Sequence, residues 1–200
     1  MRAVVFDVGN VLYDWDPRYL YAPLIPDPFL LDRFLAEVVT KEWHFQHDAG
    51  RPFAETSAEL AARYPEHGDL IALWGPRFSD TIGGTLPGMA EIVEALDARG
   101  VPLYAITNFS DEFWPAFRAG EAALFDRFRD IVVSGAERLV KPDAAIFDLA
   151  MRRFGLAPGE AIFIDDRIEN VEAAERAGLL GHHFRDAATL RAELERSGLL

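Results

Sequence analysis

The sequence predicts an α/β fold, a doubly wound parallel sheet carrying an inserted α-helical cap, and three observations lead there. Short apolar runs recur along the 200-residue chain, each closed by a polar or glycine-containing break. Between them lie segments with apolar residues three and four apart, the spacing of one helix face. One long stretch, 17–82, keeps the helical spacing but holds no strand-like run. Strand alternating with helix implies parallel pairing, because a parallel neighbour is reached only by a long crossover.

In chain order, residues 2–6 (RAVVF) form the first strand, apolar throughout as a strand buried on both faces should be. The insertion follows, with helices expected over 29–38, 41–48, 53–63 and 70–78. Pro17 marks one end, and Gly83, Gly84 and Pro87 the other, residue types that punctuate helices and serve as hinges. The alternation then resumes: helix 88–99, strand 101–106 (VPLYAI), helix 111–117, strand 130–133 (DIVV), helix 143–154, strand 161–164 (AIFI) and helix 168–177. A weaker strand follows at 180–184 (LGHHF). Residues 1–16 and 83–200 are thus expected to form the α/β core and 17–82 the cap.

A chain of 200 residues, 50% hydrophobic, can bury one sizeable core. Its formal net charge of −13 repels phosphate backbones and anionic lipid, which argues against nucleic-acid and membrane partners. An anionic small molecule would have to be met by local positive charge or a metal. With no cysteine there is no disulfide, thiolate nucleophile or Cys-based zinc site. The opening MRAVVFD runs directly into a strand, without the apolar length of a signal peptide or membrane span, so a cytoplasmic location is expected. Composition and charge leave the oligomeric state open.

Ligands of an open parallel sheet bind at the carboxyl ends of its strands. Asp7 follows the first run, Thr107 and Asn108 the second, and Asp165 and Asp166 the fourth, while Lys141 lies in the loop after the third. Taken singly, an Asp after a strand is more often a cap or turn residue than a catalyst, and a loop lysine is more often a solvated charge. Four such clusters at one sheet edge reverse those odds. Three neighbouring carboxylates repel unless a cation joins them, and oxygen-only ligands select a hard ion such as Mg²⁺. A metal, a lysine, a hydroxyl and a carboxylate are the parts phosphoryl transfer needs, with Asp7 suited to attack phosphorus and carry an aspartyl-phosphate.

At these residues the chain resembles the haloacid dehalogenase superfamily of hydrolases, whose motifs run in this order. Asp7 with Gly9-Asn10-Val11 matches the first, Thr107 in YAITN the second, Lys141 in VKPD the third, and Asp165-Asp166 in FIDDRIEN the fourth. The resemblance covers the whole chain and implies a Rossmann-like core with a C1-type helical cap between the first two motifs. It implies that Asp7 is nucleophile and Mg²⁺ ligand, that Thr107 hydrogen-bonds the phosphoryl group, and that Lys141 ties Asp7 to it. Asp166 would ligate the metal directly and Asp165 would stand beside or behind it, with Asn170 where many relatives have another acid. Asn108 would offer its backbone N–H to phosphoryl oxygens.

Position 9 departs from the pattern. Most phosphatases of the superfamily have there an aspartate whose side chain is the general acid and base and whose carbonyl binds the metal. Gly9 keeps only the carbonyl. The segment FDVGNVLYDWDP resembles a bacterial subgroup with this glycine that includes sugar-phosphate phosphatases, notably for glucose 1-phosphate. A rival is a metal-independent 2-haloacid dehalogenase, which also lacks the second acid; the paired carboxylates of the fourth motif favour the Mg²⁺-dependent phosphatase, acting on a small-molecule phosphate ester. A third reading is a catalytically weak member that binds a metabolite or partner. An anomeric leaving group asks less of a general acid; alternatively Asp14, on the way to the cap, supplies the missing carboxyl. Within the cap, KEWHFQHDAGR (41–51) is the most polar stretch, with Trp43 and Phe45 expected partly in the core and His47, Asp48 and Arg51 expected at the substrate.

Overall fold

The structure, a computed structural model, describes residues 2–200. Strand β1 (Ala3–Phe6) is followed by β2 (Tyr13–Trp15) and a run of helices, α1 (Arg18–Tyr21), α2 (Pro28–Glu37), α3 (Lys41–Asp48), α4 (Phe53–Arg63) and α5 (Gly68–Ala72). Strand β3 (Ile82–Thr85) returns the chain, and α6 (Met89–Ala98), β4 (Leu103–Thr107), α7 (Trp114–Gly120), α8 (Ala122–Phe125) and β5 (Asp130–Val133) come next. The chain continues through α9 (Ser134–Glu137), α10 (Ala144–Phe154), β6 (Ala161–Asp165), α11 (Ile168–Arg176), β7 (Leu180–His183) and α12 (Ala187–Arg196). Five strands form a parallel sheet in the order β5-β4-β1-β6-β7, so the chain winds outward from β1 in both directions. Alternation along β1 explains why it can sit at the centre. Val4 and Phe6 enter one apolar cluster and Ala3 and Val5 the other, and all four side chains are wholly buried.

The first of those clusters runs without a break from the sheet face into the inserted helices, through Leu31, Phe34, Trp43, Leu60, Trp74 and Phe78. Asp27 caps α2 by accepting from the N–H groups of Phe29 and Leu30, and Thr40 caps α3 by accepting from Trp43 N at 3.1 Å.

Three sequence expectations shift. Residues 70–78 form no continuous helix, because α5 ends at Ala72 and a 3₁₀ turn spans Phe78–Thr81. Residues 111–117 begin with a turn, and helix starts only at Trp114, with Pro115 in its first turn. Gly83 and Gly84, read as a hinge, lie within β3, which pairs antiparallel with β2 in a two-stranded ribbon at the root of the insertion. Among the described residues no helix is long and apolar enough to cross a membrane.

Candidate active site

The parallel register brings the polar ends of the strands together. Asp7 directly follows β1 and its N–H donates to Ile164 O at 2.8 Å, which holds it beside the end of β6. Its Oδ1 accepts from Val8 N at 2.6 Å and from Lys141 Nζ at 2.7 Å. The same ammonium donates to Asp165 Oδ2 at 2.7 Å, so a lysine only 1% exposed bridges two buried carboxylates. Asn108 fixes the loop that delivers it: its Nδ2 donates to Lys141 O at 3.0 Å and its Oδ1 accepts from Lys141 N at 2.8 Å. The Asn108 side chain is thereby committed to the loop, leaving its backbone for the cavity. Thr107, expected at the phosphoryl group, ends β4 and is 1% exposed behind the cavity wall, which Asn108 and Phe109 form at this point.

One oxygen each from Asp7, Asp165 and Asp166 lie within 4.8 Å of one another. Burial pushes the Asp7 carboxyl up to about 8; Lys141 opposes this, and Asp165 and Asp166 add to it. Asp166 is raised by burial and by Asp165, against Lys141. Burial disfavours the Lys141 charge, yet Asp165 and Asp7 outweigh it and hold the ammonium above its ordinary value. The cluster therefore carries more negative charge than one lysine balances. Asp165 is well engaged, accepting also from Arg167 N at 2.9 Å and from Asn170 Nδ2 at 2.9 Å. That leaves Asn170 Oδ1, buried and without a partner, on a residue that lines the cavity. All-oxygen donors, raised carboxyl pKa values and an orphaned amide oxygen fit a hard divalent cation with its water. Gly9 lines the same cavity, and a Cβ built on it would meet nothing within 4 Å. Asn10 beyond it adopts φ +56°, and its Oδ1 accepts from Trp15 N at 3.2 Å, which turns the chain into β2.

The cavity, about 740 Å³, is roofed by Lys41, Glu42, His44, Phe45 and Asp48 of α3 and walled by Trp15, Phe78 and Ile82. Of the three cap residues expected at the substrate only Asp48 reaches it, while Phe45, expected partly in the core, is exposed on the cavity roof. The Asp48 carboxyl is pushed well above the usual range by burial and by Asp7, with Lys141 offsetting. His44, stacked on Trp15 and Phe78, is driven down to about 3 by burial and by His47, so its imidazole is neutral where Nε2 faces Asp48 Oδ2 at 3.4 Å.

Three residues expected at the substrate or at the chemistry lie elsewhere. His47 is wholly buried with Nε2 at 2.6 Å from Thr56 Oγ1, because it shares the inward face of α3 with Trp43 four residues earlier. Arg51 lies past the left-handed Gly50 and pairs with Glu59 at 2.8 Å on the surface. Asp14 accepts a hydrogen bond from Tyr19 OH and is absent from the cavity wall. Side chains alternate along a strand, so Tyr13 and Trp15 face the cavity and Asp14 the other side. His44, Trp15 and Arg167 lie within the quoted motif and cap stretches but carried no assigned role; the i, i+4 spacing of His44 and Asp48 is the clue to a shared helix face.

A family model described as haloacid dehalogenase-like hydrolase matches residues 1–178. Among curated proteins, a sesquiterpene phosphatase of Aspergillus oryzae is 28% identical over 98% of this chain and 95% of its own length. A phosphoglycolate phosphatase of Thiobacillus denitrificans is 27% identical over 89% of this chain and 80% of its own length. Among solved structures, the magnesium complex of a HAD family enzyme from Bacteroides thetaiotaomicron superposes with a TM-score of 0.72 at 19% identity, covering 98% of both chains. The L-2-haloacid dehalogenase of Xanthobacter autotrophicus superposes with a TM-score of 0.67 at 18% identity, covering all of this chain and 84% of its own, and both of these likenesses are of architecture alone.

Proposed function

The chain belongs to the haloacid dehalogenase-like hydrolase family, and from that premise we propose that it is a Mg²⁺-dependent phosphatase of small phosphorylated metabolites, working through an aspartyl-phosphate on Asp7. The observation that carries this reading is the Lys141 ammonium, 2.7 Å from Asp7 Oδ1 inside a three-carboxylate cluster at the sheet edge. Attack on a haloacid carbon has no use for that excess of carboxylates, whereas phosphoryl transfer uses the cation they would hold.

Asp7, Asp166 and the Gly9 carbonyl would hold the ion, with Asp165 behind them and Asn170 toward its water. Bound Mg²⁺ supplies charge neutralisation on the phosphoryl oxygens. Lys141 orients Asp7 and offsets the charge of the incoming phosphate dianion; Asp165 in turn orients Lys141. Asp7 attacks phosphorus, its carboxyl forming the P–O bond as the ester oxygen leaves. Thr107 and the Asn108 backbone N–H steady the transferring group. The core of residues 1–16 and 83–200 carries this chemistry, and 17–82 roofs it as the cap, in a cytoplasmic enzyme.

The cavity's volume of about 740 Å³ falls in the range of small-molecule sites. Its mixture of rings with Lys41, Glu42 and His44 suits a sugar phosphate, polar groups meeting hydroxyls and rings the C–H faces. The test is a panel of glucose 1-phosphate, phosphoglycolate, an isoprenyl monophosphate, an aryl phosphate and a 2-haloacid, assayed with Mg²⁺ and with EDTA. Phosphate release that needs Mg²⁺ and vanishes in Asp7→Asn is expected. Release that survives either change overturns the mechanism, and halide release without phosphate release installs the dehalogenase.

A further inference from the structure

An Asp7 nucleophile needs a partner that protonates the leaving oxygen and later deprotonates water, and Gly9 offers no side chain for either task. The cavity wall holds two cap carboxyls that could stand in. Glu42, at the exposed start of α3, is held below the usual carboxylate range by hydrogen bonds from backbone and from Thr40, so it carries no proton to give near neutrality. Asp48 differs in every respect. It is 5% exposed, its Oδ1 has no hydrogen-bond partner, and its Oδ2 meets only the His44 ring at 3.4 Å.

What fixes Asp48 in place is its backbone. Ser134 Oγ donates to Asp48 O at 2.6 Å and accepts from Phe109 N at 2.9 Å, linking the end of α3 to the end of β4. Just beyond, Gly50 packs so closely on α9 that a Cβ would lie 2.7 Å from Gly135 O. The C-terminal end of α3 is therefore seated on the sheet edge, and Asp48 shares the cavity wall with Asp7. The side chain takes no part in this anchoring. A carboxyl with an unpaired buried oxygen is least costly in its neutral form, which is the form an acid catalyst requires.

We propose that Asp48 is the general acid and base of this enzyme, supplied by the cap in place of the side chain missing at position 9. The assignment rests on the phosphatase reading above. As Asp7 forms its bond to phosphorus, the ester P–O bond breaks and the leaving oxygen takes the Asp48 proton, giving alcohol, aspartyl-phosphate and an Asp48 carboxylate. That carboxylate then takes a proton from water as its oxygen attacks the aspartyl-phosphate, releasing hydrogen phosphate and restoring Asp7 as carboxylate and Asp48 as acid. His44, neutral and stacked between two rings, lines the same cavity and sets its Nε2 3.4 Å from Asp48 Oδ2.

The test is Asp48→Asn in the Mg²⁺-loaded enzyme, followed through the first turnover with 4-nitrophenyl phosphate and with an alkyl phosphate. Nitrophenolate leaves without much help, so its burst keeps a rate constant within about tenfold of wild type while later turnovers slow for want of a base. The alkyl ester needs the proton at once, so its first turnover slows by about 10²–10⁴-fold. Gly9→Asp on the Asp48→Asn background restores the alkyl first turnover, there being room for the side chain. Equal slowing with both esters, a rise in KM alone, or no change overturns the assignment. Burst amplitude counts folded sites, so a partly misfolded variant still reports through its rate constants, and Asp48→Ser gives a second reading. Wild-type enzyme that releases no phosphate fails the phosphatase reading itself, whereas an unselective Asp48→Asn loss fails only this one.

Discussion

Replacing Asp7 by Asn should stabilise the metal-free protein, by an amount that grows with pH. The Asp7 carboxyl is pushed by burial from 3.8 to about 8, Lys141 opposing and the neighbouring acids adding. Between those values the folded protein keeps a proton that the unfolded chain has released. Stability from such a raised carboxyl is full below the unfolded value and is lost as pH rises toward the folded one. The slope is about 1.4 kcal/mol per pH unit, so wild type loses about 2.7 kcal/mol from this group between pH 5 and pH 7. Asn carries no such proton and has no such slope. Urea denaturation of both proteins in EDTA at pH 5, 6 and 7 measures the difference, in which the smaller shifts that Asp7 imposes on Asp48 and Lys141 are included. The gap should widen by about 2.7 kcal/mol in favour of Asp7→Asn. Saturating Mg²⁺ should close it, because a cation stabilises the carboxylate and adds about 2.7 kcal/mol at a hundred times its Kd. A gap that stays constant with pH in EDTA would refute the picture of Asp7 as a carboxyl frustrated by its acidic neighbours.

Other perturbations separate the cavity from its surroundings. Lys141→Ala removes the counter-charge of the buried Asp165 carboxylate, beside an Asp7 carboxyl that is mostly neutral at pH 7 without metal, and should lower stability at pH 7 by about 3–5 kcal/mol as well as ending turnover; denaturation curves read the first and phosphate release the second. His47→Ala opens a hole beside Trp43 and Phe53 and should cost about 3 kcal/mol in urea denaturation, with ratios of kcat/KM across the ester panel unchanged. Arg51→Ala removes an exposed ion pair and should shift stability by less than about 1 kcal/mol and leave kcat/KM unaltered. Asp14→Asn should leave the pH–rate profile unchanged, as its carboxyl is bonded to Tyr19 away from the cavity wall.

The sheet and its polar edge were legible because a parallel α/β sheet writes itself plainly: apolar runs buried on both faces, each ending in a polar residue at the carboxyl edge. Asp7, Asn108, Asp165 and Asp166 follow from that rule, whereas Lys141, which lies beyond α9 in the loop after β5, was legible through the VKPD match. The β2–β3 ribbon does not, because three residues on one side and Gly83-Gly84 on the other give no alternation to read. In the cap, periodicity located α3 to the residue but left its faces unassigned. Trp43 and His47 are four apart and turn inward together; His44 and Asp48 are four apart and turn to the cavity. Placing Trp43 in the core should have placed His47 there as well. The polarity of a histidine concealed this, and only the packing of its ring among Trp43, Phe53 and Phe113 decides it.

The same electrostatics that make Asp7 costly to ionise explain how a chain of net charge −13 can receive a phosphate at all. Lys141 is the one buried cation at the edge, and it is already shared between Asp7 and Asp165. Three carboxylates and a phosphate dianion set against that ammonium would leave four negative charges in a poorly solvated cleft. A divalent ion halves that excess, and an Asp48 that stays protonated adds nothing to it. A second ionised acid at position 9 would add to it in the resting enzyme. A proton-carrying carboxyl on the cap, where burial favours its neutral form, would separate proton transfer from the charged cluster that would hold metal and phosphate.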